Sequence, residues 1–122
     1  MIEYEKLTNE ALSQKVMESL YGEEINHWSL SVCGTFIYDC GILGEDFYKI
    51  PLLSVDSPAD MFNLMKDFSI DIEWPEPDLG NVGTVHKYLK GAMDIQEDFY
   101  DKEEGLRTIA IVFLRMKEKQ NG

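Results

Sequence analysis

Six acids within eleven positions, Asp94, Glu97, Asp98, Asp101, Glu103 and Glu104, surround the aromatic pair Phe99 and Tyr100. Charges packed this closely repel one another and favour a solvated segment. Aromatics among them give such a segment a second use, because aromatics concentrate binding energy while charges steer encounter. The chemistry on offer is recognition of a basic partner. A second group, Asp71 and Glu73 followed by Glu76 and Asp78, has the residue types to hold a divalent cation or to form a carboxylate pair. It also fits the wet side of an edge strand, which is the simpler reading. These acids, with Phe99 and Tyr100, are the candidate protein-interface residues.

Other reactive residue types do not assemble into a pattern. Cys33 and Cys40 with His27 and His86 allow a thiol–imidazole pair by arithmetic, but small buried cysteines are the simpler expectation. His27 and His86 are too scattered for a zinc site with two cysteines. No G-x-S-x-G is present, and Gly80 and Gly83 are not followed by the Lys-Ser or Lys-Thr of a phosphate loop. His86 and Tyr88 share one strand face and could line a small pocket, although a half-buried face is the commoner outcome. No catalytic residue, metal or cofactor is predicted.

The elements that must position these residues are organised around Gly105–Lys117. Ile109 to Leu114 is the longest apolar run in the chain, bracketed by Arg107 and Arg115. Asp101 and Glu104 resemble a capping box, and Arg115, Lys117 and Lys119 suit a helix C-terminus, so a buried helix is predicted over a strand. Upstream, Thr8 or Asn9 caps a helix to about Tyr21, with Leu12, Val16 and Leu20 on one stripe and Gly22 ending it. Trp28, Leu30 and Val32 alternate with polar neighbours as a half-buried strand up to Cys33. Gly34 breaks it, and Thr35–Cys40 is its hairpin partner. Gly41–Asp46 reads as a loop, and Pro51 confines the apolar 47–53 segment to an edge.

Ser57-Pro58-Ala59-Asp60 places a cap, a proline at the first helical position and an acid two residues on, opening a helix to about Asp67. Ser69–Trp74 alternates as a strand with Asp71 and Glu73 on its wet face. A turn-rich loop leads to a second strand, Val82–Leu89, and the two pair as an antiparallel hairpin. Gly91–Asp101 is acidic and poorly patterned, and reads as a loop. The order gives an α+β domain, a largely antiparallel sheet flanked by about three helices in the manner of an α-β-α sandwich.

Composition narrows the function classes. A chain of 122 residues is one domain and buries about two thirds of its unfolded surface, enough for a core. With 23 acids against 11 Lys and Arg, its net charge is −12, which disfavours direct binding to nucleic acid or to an anionic membrane. No apolar stretch approaches the roughly 18 residues of a membrane span. The opening residues lack a signal-peptide pattern, so a cytoplasmic protein with reduced cysteines is expected.

Three stretches, LTNEALSQKV, SVDSPADMFNLMKDFSIDI and GLRTIAIVFLRM, resemble the phage NinX-like group of small α-β-α sandwich proteins. Ser57, Pro58 and Asp60 occupy one shared pattern, and Leu106, Arg107, Ile111, Val112 and Leu114 the other. About half the chain is covered; His27–Leu53 and Asp94–Glu104 depart from it. The resemblance implies a phage or prophage origin and an α/β sandwich, and it implies no activity.

The expectation is therefore a non-enzymatic accessory protein in the host bacterial cytoplasm. It would bind a host protein or complex with a basic surface, such as a defence or nucleic-acid-handling system. The alternative is a protein that sequesters a small ligand or nucleotide signal, although cations to hold an anion are few. A homodimer through the 47–53 segment is compatible with either.

Overall fold

The computed structural model describes residues 3–38, 49–75, 82–88 and 95–121. Helices α1 (Asn9–Tyr21), α2 (Pro58–Phe68) and α3 (Lys102–Asn121) and six short strands make an α+β fold. Strands β1 (Ser29–Leu30), β2 (Phe36–Tyr38) and β3 (Lys49–Pro51) form one antiparallel sheet, and β4 (Asp71–Glu73), β5 (Gly83–Lys87) and β6 (Ile95–Phe99) a second. The strands thus divide between two three-stranded sheets.

Helix α3 is the hub. Ile109–Leu114 and Met116 are all buried, and the helix contacts α1, α2, β5 and β6. A single amphipathic stripe would not suffice for a helix with neighbours on several sides, which is why the run is apolar all round. Leu12 and Val16 of α1, Met61 and Leu64 of α2, and Val85, Ile95 and Phe99 of the second sheet complete the core. No residue of β1, β2 or β3 belongs to it.

The caps act as the residue types require. Thr8 accepts from the Ala11 amide, and Gly22 ends α1 at φ +94°. Ser57 accepts from the Asp60 amide at α2, while the Asp60 carboxylate reaches back to the Ser54 amide. At α3, the Asp101 carbonyl accepts from the Gly105 amide, and the Glu104 carboxylate accepts from the Tyr100 amide, one residue before the amide a box on Asp101 would use.

Two arginines of α3 fasten the segment before α1. Arg107 donates to the Asn9 side chain and to the carbonyls of Leu7 at 2.6 Å and Glu5 at 3.3 Å. Arg115 pairs with Glu5 at 2.5 Å and Glu97 at 2.9 Å, and lies 5.4 Å from the centre of the Tyr4 ring. The buried Tyr4 hydroxyl donates to Glu118.

Three expectations are corrected. Part of the predicted loop 91–101 is strand β6, fully paired with β5. Its alternation is intact: Ile95, Glu97 and Phe99 face the helices, while Gln96 and Asp98 face out. The inward Glu97 hides the pattern, because it meets Arg115 where an apolar residue would be expected. The predicted strand 28–33 shrinks to Ser29–Leu30, with Leu30 and Val32 exposed, since a peripheral sheet has no core for them to face. Cys33 is exposed, in the turn between β1 and β2. Cys40, the 41–46 loop and Phe47–Tyr48 lie outside the described residues.

Candidate functional site: the outer face of the second sheet

The register of β4, β5 and β6 brings together residues far apart in sequence. Glu73, Thr84 and Asp98 form one row across the sheet, and Asp71, His86 and Gln96 the next. Rows two residues apart point to the same face, so these six side chains share one surface. The opposite face, with Ile72, Val85, Ile95 and Phe99, packs on the helices. The shared surface looks away from them: Asp71, Glu73, Gln96 and Asp98 are exposed, and Thr84 and His86 half-buried. Tyr88 at one end is 66% exposed and Tyr100 at the other 74%.

Three carboxylates and two exposed tyrosines therefore share an open face on which the described strands place no Lys or Arg. Asp71 and Glu73 stand about 7 Å apart along β4, and Glu73 and Asp98 about 10 Å apart across two strand spacings. Local bonds order the face without neutralising it. Thr84 donates to Asp98 at 3.2 Å, and His86 lies 3.7 Å from Asp71. The His86 and Tyr88 rings meet edge-on at 5.0 Å, with His86 half-buried and Tyr88 exposed.

Several of the described cations are engaged elsewhere. Arg107 and Arg115 hold the N-terminal segment, and Lys87 crosses to the last carbonyls of α2, 2.8 Å from that of Phe68. Lys117 sits over Phe68 and Lys49 over Phe36.

The candidate residues separate accordingly. Asp71, Glu73, Asp98 and Tyr100 belong to this face. Glu97, on the same strand, points inward to Arg115. Phe99 is a correction: it is 1% exposed and belongs to the core, where no partner can reach it. Asp101, Glu103 and Glu104 are exposed at the start of α3, where negative charge also suits the helix dipole. Glu76, Asp78 and Asp94 lie outside the described residues. Among the described residues no three His, Cys, Asp or Glu side chains are grouped to hold a metal ion, and no helix is long and apolar enough to cross a membrane.

Sequence reasoning missed Gln96 and Thr84, which join the two acidic groups. Only the strand status of 95–99, concealed by Glu97, could have placed β4 and β6 on either side of β5. It also missed a cleft of about 530 Å³ between α1 and the first sheet, bordered by Glu10, Gln14, Trp28, Ile37 and Asp56. That cleft depends on how residues 28–38 and 49–56 fold back, for which periodicity gives no signal.

No family model, curated protein or solved structure matches this chain.

Proposed function

We infer that the protein is a non-catalytic binding module whose outer sheet face docks a partner protein with a basic surface. The observation that carries this reading is the convergence of Asp71, Glu73 and Asp98 with exposed Tyr88 and Tyr100 on one uncovered face. The carboxylates would draw in Lys and Arg side chains, and the tyrosines would supply contact area at small entropic cost. Acids mixed with imidazole, hydroxyl and aromatic groups suit a protein partner better than they imitate a phosphate backbone, whose charges repeat without interruption. The resemblance to the phage NinX-like group supports placing that partner in the cytoplasm of a bacterial host, within a defence or nucleic-acid-handling complex.

The test is a calorimetric titration with a Lys- and Arg-rich peptide carrying interspersed leucines, at low and high salt. Binding should weaken with salt. Combining Asp71→Asn, Glu73→Gln and Asp98→Asn should weaken it about tenfold, as three exposed charge contacts would. Tyr88→Ala with Tyr100→Ala should weaken it without changing the salt dependence. A control removing as much charge from exposed acids off this face, Glu23→Gln, Glu24→Gln and Asp67→Asn, should have little effect. Equal losses in the control and the sheet-face variant, or binding indifferent to salt, would overturn the reading.

A further inference from the structure

The cleft between α1 and the first sheet is a second surface, separate from the sheet face. At about 530 Å³ it is in the size range of small-molecule sites. One wall is α1 and the short 3-10 turn Glu23–His27, the other Trp28, Gly34, Ile37 of β2 and the irregular segment from Leu52 to Asp56 that leads to α2. Its floor is apolar: Met17 and Ile25 are buried, and Trp28, Ile37, Leu52 and Leu53 half-buried. The walls stay apart because the first sheet contributes nothing to the core and so is not drawn onto α1.

The polar groups around this floor define the ligand's charge. Among the described residues, Glu10 and Asp56 are the charged side chains of the lining, and no Lys, Arg or His joins them. The Glu10 carboxylate has no hydrogen bond or ion pair among the described residues, whereas Asp56 accepts from Asn9. Gln14 donates to the Asn26 side chain at 3.0 Å, and Glu18 accepts from Asn26 at 2.9 Å. The N-terminus of α1 also opens nearby, and a bare helix start would favour an anion. Here the Thr8 hydroxyl takes the Ala11 amide and Glu10 already places a carboxylate in the first turn. The Trp28 indole provides a π face suited to a cation.

We propose that this cleft binds a small organic cation, an ammonium carried on an apolar or aromatic body, with Glu10 and Asp56 holding the charge and Trp28, Ile37 and Leu52 enclosing the body. A nucleotide or other anion would meet two carboxylates and, among the described lining residues, no cation.

Three probes of one shape separate the possibilities: phenethylamine, the neutral phenethyl alcohol and the anionic 3-phenylpropionate. Ligand-observed NMR titration of the intact chain should give saturable binding of the amine, binding about fivefold weaker for the alcohol, and none for the carboxylate. Glu10→Gln, on an exposed side chain, should weaken amine binding, and Glu10→Gln with Asp56→Asn should bring the amine down to the level of the alcohol. The sheet-face substitutions at Asp71, Glu73 and Asp98 should leave amine binding unchanged, so the two surfaces stand or fall separately. Equal binding of all three probes, amine binding indifferent to Glu10→Gln, or no saturable amine binding would overturn the proposal.

Discussion

Gly83 of β5 and Phe99 of β6 are directly paired across the second sheet, and the Phe99 ring occupies the space a side chain on Gly83 would need. A Cβ built on Gly83 would lie 2.3 Å from Cζ of that ring. Gly105 of α3 makes room on another side, with an added Cβ 3.0 Å from both Phe99 and Trp74. Trp74 meets Phe99 edge-on at 5.6 Å. Phe99 is thus the pin between sheet and helix, in a slot that two glycines keep open.

Gly83→Ala should destabilise the fold by about 1–3 kcal/mol through overpacking, although alanine suits a strand better than glycine does. Phe99→Ala should cost about 3–5 kcal/mol, as for other buried aromatics. Tyr100→Ala, one residue on, should change stability by less than about 0.5 kcal/mol. Urea unfolding of the three variants checks the set. An exposed Phe99 would instead behave like Tyr100.

Burial, with the carboxylate of Glu118 against its hydroxyl, pushes the Tyr4 phenol up from 10.0 to about 12, partly opposed by Arg115. The folded chain therefore keeps that proton more tightly than the unfolded chain. This contribution to stability is fully present below pH 10 and is lost as pH rises towards about 12. Tyr4→Phe should flatten the loss of stability across that window, measured as unfolding midpoint against pH. Tyrosinate absorbance should show one fewer late-titrating phenol in the variant than in the parent.

Cys33 is exposed, and hydrogen bonds from the Ser31 hydroxyl first, then the Thr35 hydroxyl and amide, pull its thiol down to about 7. Alkylation by iodoacetamide should follow the thiolate fraction, with its rate inflecting near that pH. Ser31→Ala with Thr35→Ala should move the inflection towards the ordinary thiol value of 9.0. An unmoved inflection would mean that the hydroxyls do not hold the thiolate.

Ser13 links α1 to the approach to α2. Its hydroxyl donates to the Asn9 carbonyl at 2.7 Å and accepts from the Val55 amide at 3.0 Å. Val55 is buried, so Ser13→Ala strands its amide and should cost about 1–3 kcal/mol. Loss of the amide's hydrogen-exchange protection at Val55 is the local readout.

The helices were legible because their signals are local. Thr8, Ser57-Pro58 and Gly22 mark ends through bonds to residues within one turn, and Ile109–Leu114 announces burial by composition alone. Strand β4 was legible because Ile70, Ile72 and Trp74 alternate with Asp71 and Glu73, and β5 because a β-favouring run follows a turn-rich loop. Strand β6 was not, since Glu97 is inward-facing and charged, and only a partner on α3, eighteen residues later, makes that position tolerable. The same error put Phe99 in a solvated loop and hid the alignment of Asp98 with Glu73. The first sheet was overextended for the opposite reason: Leu30 and Val32 have the right residue types and period, yet nothing packs over them. Candidate-site residues could be named from density of charge, but their common face depends on register, a long-range property.

The chain's two tryptophans are divided between its two parts, Trp28 in the cleft beside α1 and Trp74 against Phe99 at the second sheet. That division equips the molecule with two intrinsic fluorophores in different surroundings. Trp28→Phe leaves an emitter that reports on the sheet–helix junction, and Trp74→Phe one that reports on the cleft. Quenching and spectral shift can then assign any occupant to one half of the molecule without an added label.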